Sequence, residues 1–98
     1  MAKQIRADGT IQELDITSGE ELGLERLQEL VGGYIQCLDM PEGSEYNTMV
    51  INEEGKFTTP ELNQVATDLI RPNIFADDYI AGDVVMVNTN YDEGTMVA

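Results

Sequence analysis

Val84-Val85-Met86-Val87 is an uninterrupted apolar run, β-branched at every position but Met86, and it sets the strongest condition on how this chain can fold. Neighbouring side chains on a strand point to opposite sides of a sheet, so a strand with no polar member is buried on both sides. The run therefore predicts a central strand. A chain of 98 residues has room for a single core. One domain over 1–98 is expected, its core over about 3–87 and a mobile tail over 88–98.

Alternating runs over 3–7 and 10–16 flank Asp8-Gly9, a pair that favours a tight turn, and predict an opening hairpin with Leu14 and Ile16 toward the core. Ser18-Gly19-Glu20-Glu21 has capping-box spacing, but Gly23 costs about 1 kcal/mol relative to alanine inside a helix, so a firm helix is expected from near Leu24. Its apolar stripe is Leu24, Leu27, Leu30 and Val31, and Gly32-Gly33 ends it. Strands are expected over 34–40 and 46–52, parted by the turn residues Pro41-Glu42-Gly43-Ser44. Asn52-Glu53-Glu54-Gly55 predicts a turn into a short strand, Lys56-Phe57-Thr58. Thr59-Pro60 predicts a helix start, Leu62, Val65, Ala66 and Leu69 its apolar face, and Arg71-Pro72 its end. The order β-β-α-β-β-β-α-β predicts an α+β fold: one mixed, mainly antiparallel β-sheet with two helices packed on one face.

Leu30-Val31-Gly32-Gly33-Tyr34-Ile35, Val50-Ile51-Asn52-Glu53-Glu54-Gly55-Lys56 and Ala81-Gly82-Asp83-Val84-Val85-Met86-Val87, with Asn63 and Ala66-Thr67 between them, carry a likeness in their order and spacing. Over most of Lys3 to Val87 the chain resembles the domain of unknown function 3846 family, small proteins met in phages, plasmids and other mobile elements of prokaryotes. The resemblance implies a fold type and a mobile-element setting, and brings no catalytic residues to carry over.

Chemistry is constrained by what the chain lacks. It contains no histidine, so no Ser-His or Cys-His nucleophilic pair can form, and Ser18 and Ser44 both fall in expected turns. Cys37 is the single cysteine, alternates with Ile35 in an expected strand, and reads as a small buried hydrophobe; no internal disulfide or cysteine-rich zinc site can be built. The carboxylate pairs Glu20-Glu21, Glu53-Glu54 and Asp77-Asp78 are of the type used in general acid-base work, yet read more simply as solvated turns and helix starts. Asn88, Asn90 and Asp92 alternate as in a calcium loop, but Glu93 occupies the place that needs glycine. No phosphate-cradling glycine loop precedes a helix. No catalytic residue, metal site or cofactor is predicted.

Charge is the feature left to interpret. Nineteen Asp and Glu against five Lys and Arg give a net charge of −14, and Lys3, Arg6, Arg26, Lys56 and Arg71 are scattered. Direct contact with nucleic acid or anionic membrane is therefore not expected. With no apolar run of about 20 residues and no signal-peptide core near Met1, a cytoplasmic protein is expected. Duplex DNA carries about one charge per 1.7 Å, so this net charge matches roughly 24 Å of duplex. The sharpest reading is a non-enzymatic accessory protein that recognises a basic host protein, as a DNA mimic toward a defence or regulatory factor. Its acidic surface is Glu21, Glu25 and Glu29 on a helix face, with Glu53, Glu54, Asp77 and Asp78 in turns. Solubility or adaptation to a salty cytoplasm accounts for the same excess. A small-molecule or peptide binder is the other class, with Tyr34, Tyr46, Tyr79, Tyr91, Met40, Met49 and Met86 as lining; a small core uses such side chains first.

Overall fold

The computed structural model describes residues 2–14 and 23–88. The elements in order are β1 (Ala2–Ile5), β2 (Ile11–Leu14), α1 (Gly23–Val31), β3 (Ile35–Asp39), β4 (Thr48–Asn52), α2 (Gly55–Thr58), α3 (Gln64–Ile70), a 3-10 turn (Arg71–Asn73) and β5 (Val84–Val87). They form an α+β fold with one five-stranded sheet, in the order β2-β1-β5-β4-β3. Every pairing is antiparallel, so the sheet is not mixed.

β5 lies in the middle of the sheet and all four of its residues are buried. Val84 and Met86 pack with Ala66 and Ile70 of α3, alongside Ile5 and Met49. Val85 and Val87 pack with Leu27 and Val31 of α1, alongside Ala2 and Val50. Because side chains alternate along a strand, the two helices cover opposite faces of the sheet. The expected packing of both on one face is corrected by the central strand itself, whose apolar side chains need cover on either side.

The opening hairpin forms as expected, with Ala2 opposite Leu14 and Ile5 opposite Ile11. Its turn is a three-residue loop, in which the Gly9 N–H donates to Arg6 and the Arg6 N–H to Thr10. Leu14 packs toward α1. Ile16, the Ser18 capping box, Glu21 and the segment 89–98 lie outside the described residues. α1 ends where the Gly32 and Gly33 N–H groups both donate to the Gln28 carbonyl, with Gly32 at a φ of +84°. A Cβ on Gly33 would stand 2.9 Å from the Asn52 carboxamide, so this stop also admits a buried side chain of β4.

Two expectations between β4 and β5 are overturned. Lys56-Phe57-Thr58 is not a strand but most of the single-turn helix α2. The Asn52 Oδ1 accepts the Glu54 N–H at 2.8 Å and the Glu54 carbonyl takes the Phe57 and Thr58 N–H groups, so local bonds use the groups a strand would offer. The second long helix starts at Gln64, not at Pro60. Residues 59–62 run up to an isolated bridge between Leu62 and Ala81, and Asn63 is the N-cap. Pro60 fits a first helical turn, but only the Asn63 side chain reaches a free N–H, that of Ala66 at 3.0 Å. The helix ends at Ile70, with a φ of −102° and ψ of 3°, whereas Arg71 keeps helical angles and Pro72 sits inside the 3-10 turn that follows.

Asn63 is wholly buried and all its polar groups are used. Its Nδ2 donates to the carbonyls of Ile5 at 2.9 Å and Gly82 at 2.8 Å, and its backbone N–H donates to Ile80 at 2.8 Å. Its own carbonyl accepts from the Thr67 N–H and hydroxyl. Replacing Asn63 with alanine removes a helix cap and strands two buried carbonyls. Asn63→Ala should lower the unfolding free energy by about 2–4 kcal/mol in urea titrations. A loss below about 1 kcal/mol would show that water reaches the carbonyls.

Candidate functional site

Antiparallel pairing brings the end of β1, the end of β4 and the start of β5 to one end of the sheet. The 58–63 segment is seated there by close contacts with glycine. A Cβ on Gly82 would run into the Thr59 side chain, and Gly82 has a φ of +83°, a conformation that side-chain-bearing residues rarely adopt. Two clefts open at this end, on either side of the helix α2.

The larger cleft is about 500 Å³ and lies between the end of α1, the β1–β2 turn and residues 58–61. Its charged lining is Asp8, Glu29, Glu61 and Asp83, against Arg6. Arg6 is engaged by the side chains of Gln4 at 3.4 Å and Gln12 at 3.0 Å. Asp83 accepts the Ala7 N–H at 2.9 Å and Asp8 accepts the Thr10 N–H at 2.9 Å. The bond from Thr10 holds the Asp8 carboxyl below its ordinary pKa.

The smaller cleft, about 230 Å³, lies between β3, β4 and the loop that precedes β5. Glu53, Glu54, Lys56 and Asp78 line it together with apolar residues that include Leu38, Phe57 and Tyr79. Lys56 forms an ion pair with Asp78 and lies over the Tyr79 ring, 4.5 Å from its centroid. Arg71 fixes the loop from behind by donating to the carbonyls of Phe75, Ala76 and Asp78.

The structure thus brings Glu53, Glu54 and Asp78 to one cleft and Glu29 to the other. Glu25 is exposed on the first turn of α1, Asp77 is exposed next to Asp78, and neither lines a cleft. Sequence reading did not single out Asp8, Glu61 or Asp83 as site residues; each is an isolated acid between strands and helices, and only the topology collects them. Met40, Tyr46, Met49 and Met86 are core, while Tyr34 and Tyr79 are exposed, correcting the expectation that a small core would absorb them. Tyr91 lies outside the described residues. Phe57 is 87% exposed and Phe75 80%. Cys37 is half-buried against the α1 face, and burial pushes its thiol pKa up, away from the reactive thiolate. Among the described residues no group of three acids or cysteines is placed to hold a metal ion, and no helix is long and apolar enough to cross a membrane.

The fold and its clefts define a small α+β protein with one antiparallel five-stranded sheet and an acidic end. The chain belongs to the family described as Domain of unknown function (DUF3846), which matches residues 4–98. No curated protein and no solved structure matches it.

The Lys56–Asp78 pair gives this region a pH signature. The Lys56 hydrogen bond holds the Asp78 carboxyl below its ordinary value near 3.8, so the stabilisation is complete above that pH and is lost as pH falls through the lowered value. The same bond raises Lys56 above 10.5, so its share is complete below that pH and is lost as pH rises through the raised value. Lys56→Met should therefore reduce stability only slightly across the neutral range, because the pair is partly exposed and screened by solvent. The difference from the native chain should close as pH falls below 3.8 and as it rises above 10.5, as read by thermal melts. A difference independent of pH would assign the effect to the Tyr79 contact instead.

Proposed function

We propose that this protein acts by recognising a basic partner protein through the acidic end of its sheet. One observation carries the reading. Asp8, Glu29, Glu61 and Asp83 around one cleft, and Glu53, Glu54 and Asp78 around the other, face the side chains of only two cations, Arg6 and Lys56. Lys56 is held by Asp78 and Arg6 by two glutamines. The end of the sheet is left with an excess of carboxylates whose charge a basic surface would neutralise, with rapid, salt-sensitive association.

The role is non-enzymatic and accessory, of the kind carried by phages and plasmids, and exercised in the cytoplasm. Its sharpest form is mimicry of DNA phosphates toward a host defence or regulatory protein, in which the carboxylates of the two clefts stand where phosphates would. Family membership supports the setting and the clustering of acids supports the chemistry. The exposed aromatics beside the smaller cleft favour a protein partner over a purely ionic one, since aromatic side chains are enriched at interface cores.

The test is capture of the tagged chain's partners from a prokaryotic lysate, followed by affinity measurement with the purified partner over a range of salt. A basic, nucleic-acid-binding partner is expected, with affinity falling steeply as salt rises. The double variant Glu53→Lys/Glu54→Lys should weaken binding at least tenfold. Glu42→Lys, at the far end of the sheet, should leave it within about twofold. Binding of equal strength in high salt, or equal loss in both variants, would remove the acidic end as the recognition surface.

A further inference from the structure

β3 is the edge strand beside the smaller cleft, and its hydrogen-bonding pattern shows which of its groups face outward. The Glu53 N–H donates to Tyr34 at 2.8 Å and the Met40 N–H to Asn47 at 3.0 Å. In an antiparallel pair, bonding residues alternate with non-bonding ones, so Gln36 and Leu38 bond β4 while Ile35, Cys37 and Asp39 turn their N–H and C=O groups to the outer side. Of these groups only the Asp39 carbonyl has a partner among the described residues, the Asn73 carboxamide at 2.9 Å. The strand reads Ile35-Gln36-Cys37-Leu38-Asp39, without the proline or lysine that commonly blunts an open edge.

We propose that this edge takes an extended, basic segment of a partner protein as an added strand. The face beside it is shaped for alternate side chains of such a segment: Gln36 and Leu38 border the smaller cleft with Phe57, Ile74 and Tyr79. Main-chain bonds from Ile35 and Cys37 supply register, and the cleft takes an apolar side chain at every second position. Charge selects the occupant. Glu53 and Glu54 line the cleft and Asp39 ends the strand, while the only cation there, Lys56, is paired with Asp78. A second copy of this chain, with its net charge of −14, would set like charges against each other along the same edge. The other edge, β2, carries Glu13 within a four-residue strand and has Ile11, Gln12 and Glu13 all exposed.

This inference rests on the reading that the partner is basic, and its test separates the two. The probe is a short peptide alternating lysine with valine and phenylalanine, added to the full chain at low salt, with amide exchange and chemical shifts followed by NMR. Its twin is N-methylated on every second amide. The peptide should slow exchange at Ile35 and Cys37, and the twin should bind about tenfold more weakly, the loss of one or two main-chain bonds. Cys37→Pro should abolish binding while the shifts of β5 stay unchanged, because the Cys37 N–H faces away from β4. If that variant does not fold, the N-methylated twin on the native chain decides. Equal binding by the twin, protection absent from β3, or no binding at millimolar peptide overturns the added strand. Salt-sensitive binding without protection of β3 overturns it while leaving the acidic end as the recognition surface. Protection of β3 that is indifferent to salt supports the added strand and overturns the requirement for a basic partner.

Discussion

The buried carboxamide of Asn63 is the interaction on which the rest of the structure depends. It joins the end of β1, the first turn of α3 and the Gly82 carbonyl just before β5, three pieces of chain that are far apart in sequence. Inside a low-dielectric core such bonds are strong, and an unmet partner is costly, so the group acts as a gauge of correct assembly. Thr67 extends the network by donating to the Asn63 carbonyl and accepting the Ile80 N–H at 2.9 Å. Together the two side chains fix the loop that feeds β5 into the middle of the sheet.

A second polar contact positions the acidic end. Asn52, at the end of β4, donates to the Val31 carbonyl at the end of α1 and to the Thr58 hydroxyl of α2, and accepts the Glu54 N–H. It thereby sets α2 between the two clefts and holds Glu53 and Glu54 on a short, defined turn. The carboxylates of the smaller cleft are presented by a backbone that has little freedom to collapse. Preorganisation of this kind lowers the ordering cost of association.

Much of this fold was legible in the sequence. The unbroken run Val84 to Val87 gave away a central strand because no other place in a sheet accepts four apolar neighbours. Asp8-Gly9 and Gly32-Gly33 marked a hairpin and a helix stop through backbone geometry that is local by nature. What was missed depended on distance. Asn63 outcompetes Pro60 as the helix start through bonds to residues as far away as Ile5. The split of α1 and α3 between two faces follows from the same Val84 run, but needs the strand order to be seen. Glu53-Glu54 and Asp77-Asp78 stand out as pairs, whereas Asp8, Glu61 and Asp83 are single residues on separate connections, and no local pattern links them. Phe57, expected in a short strand, is instead carried outward on a single helical turn.

The position of β5 bears on how the protein is made. Among the described residues it is the last strand in sequence, yet it separates β1 from β4 and joins the two hairpins β1–β2 and β3–β4 into one sheet. Isolated hairpins are marginal in water. During synthesis, therefore, each hairpin leaves the ribosome before the strand that unites them, and neither has a finished neighbour to settle against. Closing the sheet pairs β5 with β1 on one side and β4 on the other, contacts between residues far apart in the chain and a slow class of event. Until then the inner edges of β1 and β4 are open to pairing with another chain, and the net charge of −14 opposes the approach of a second copy.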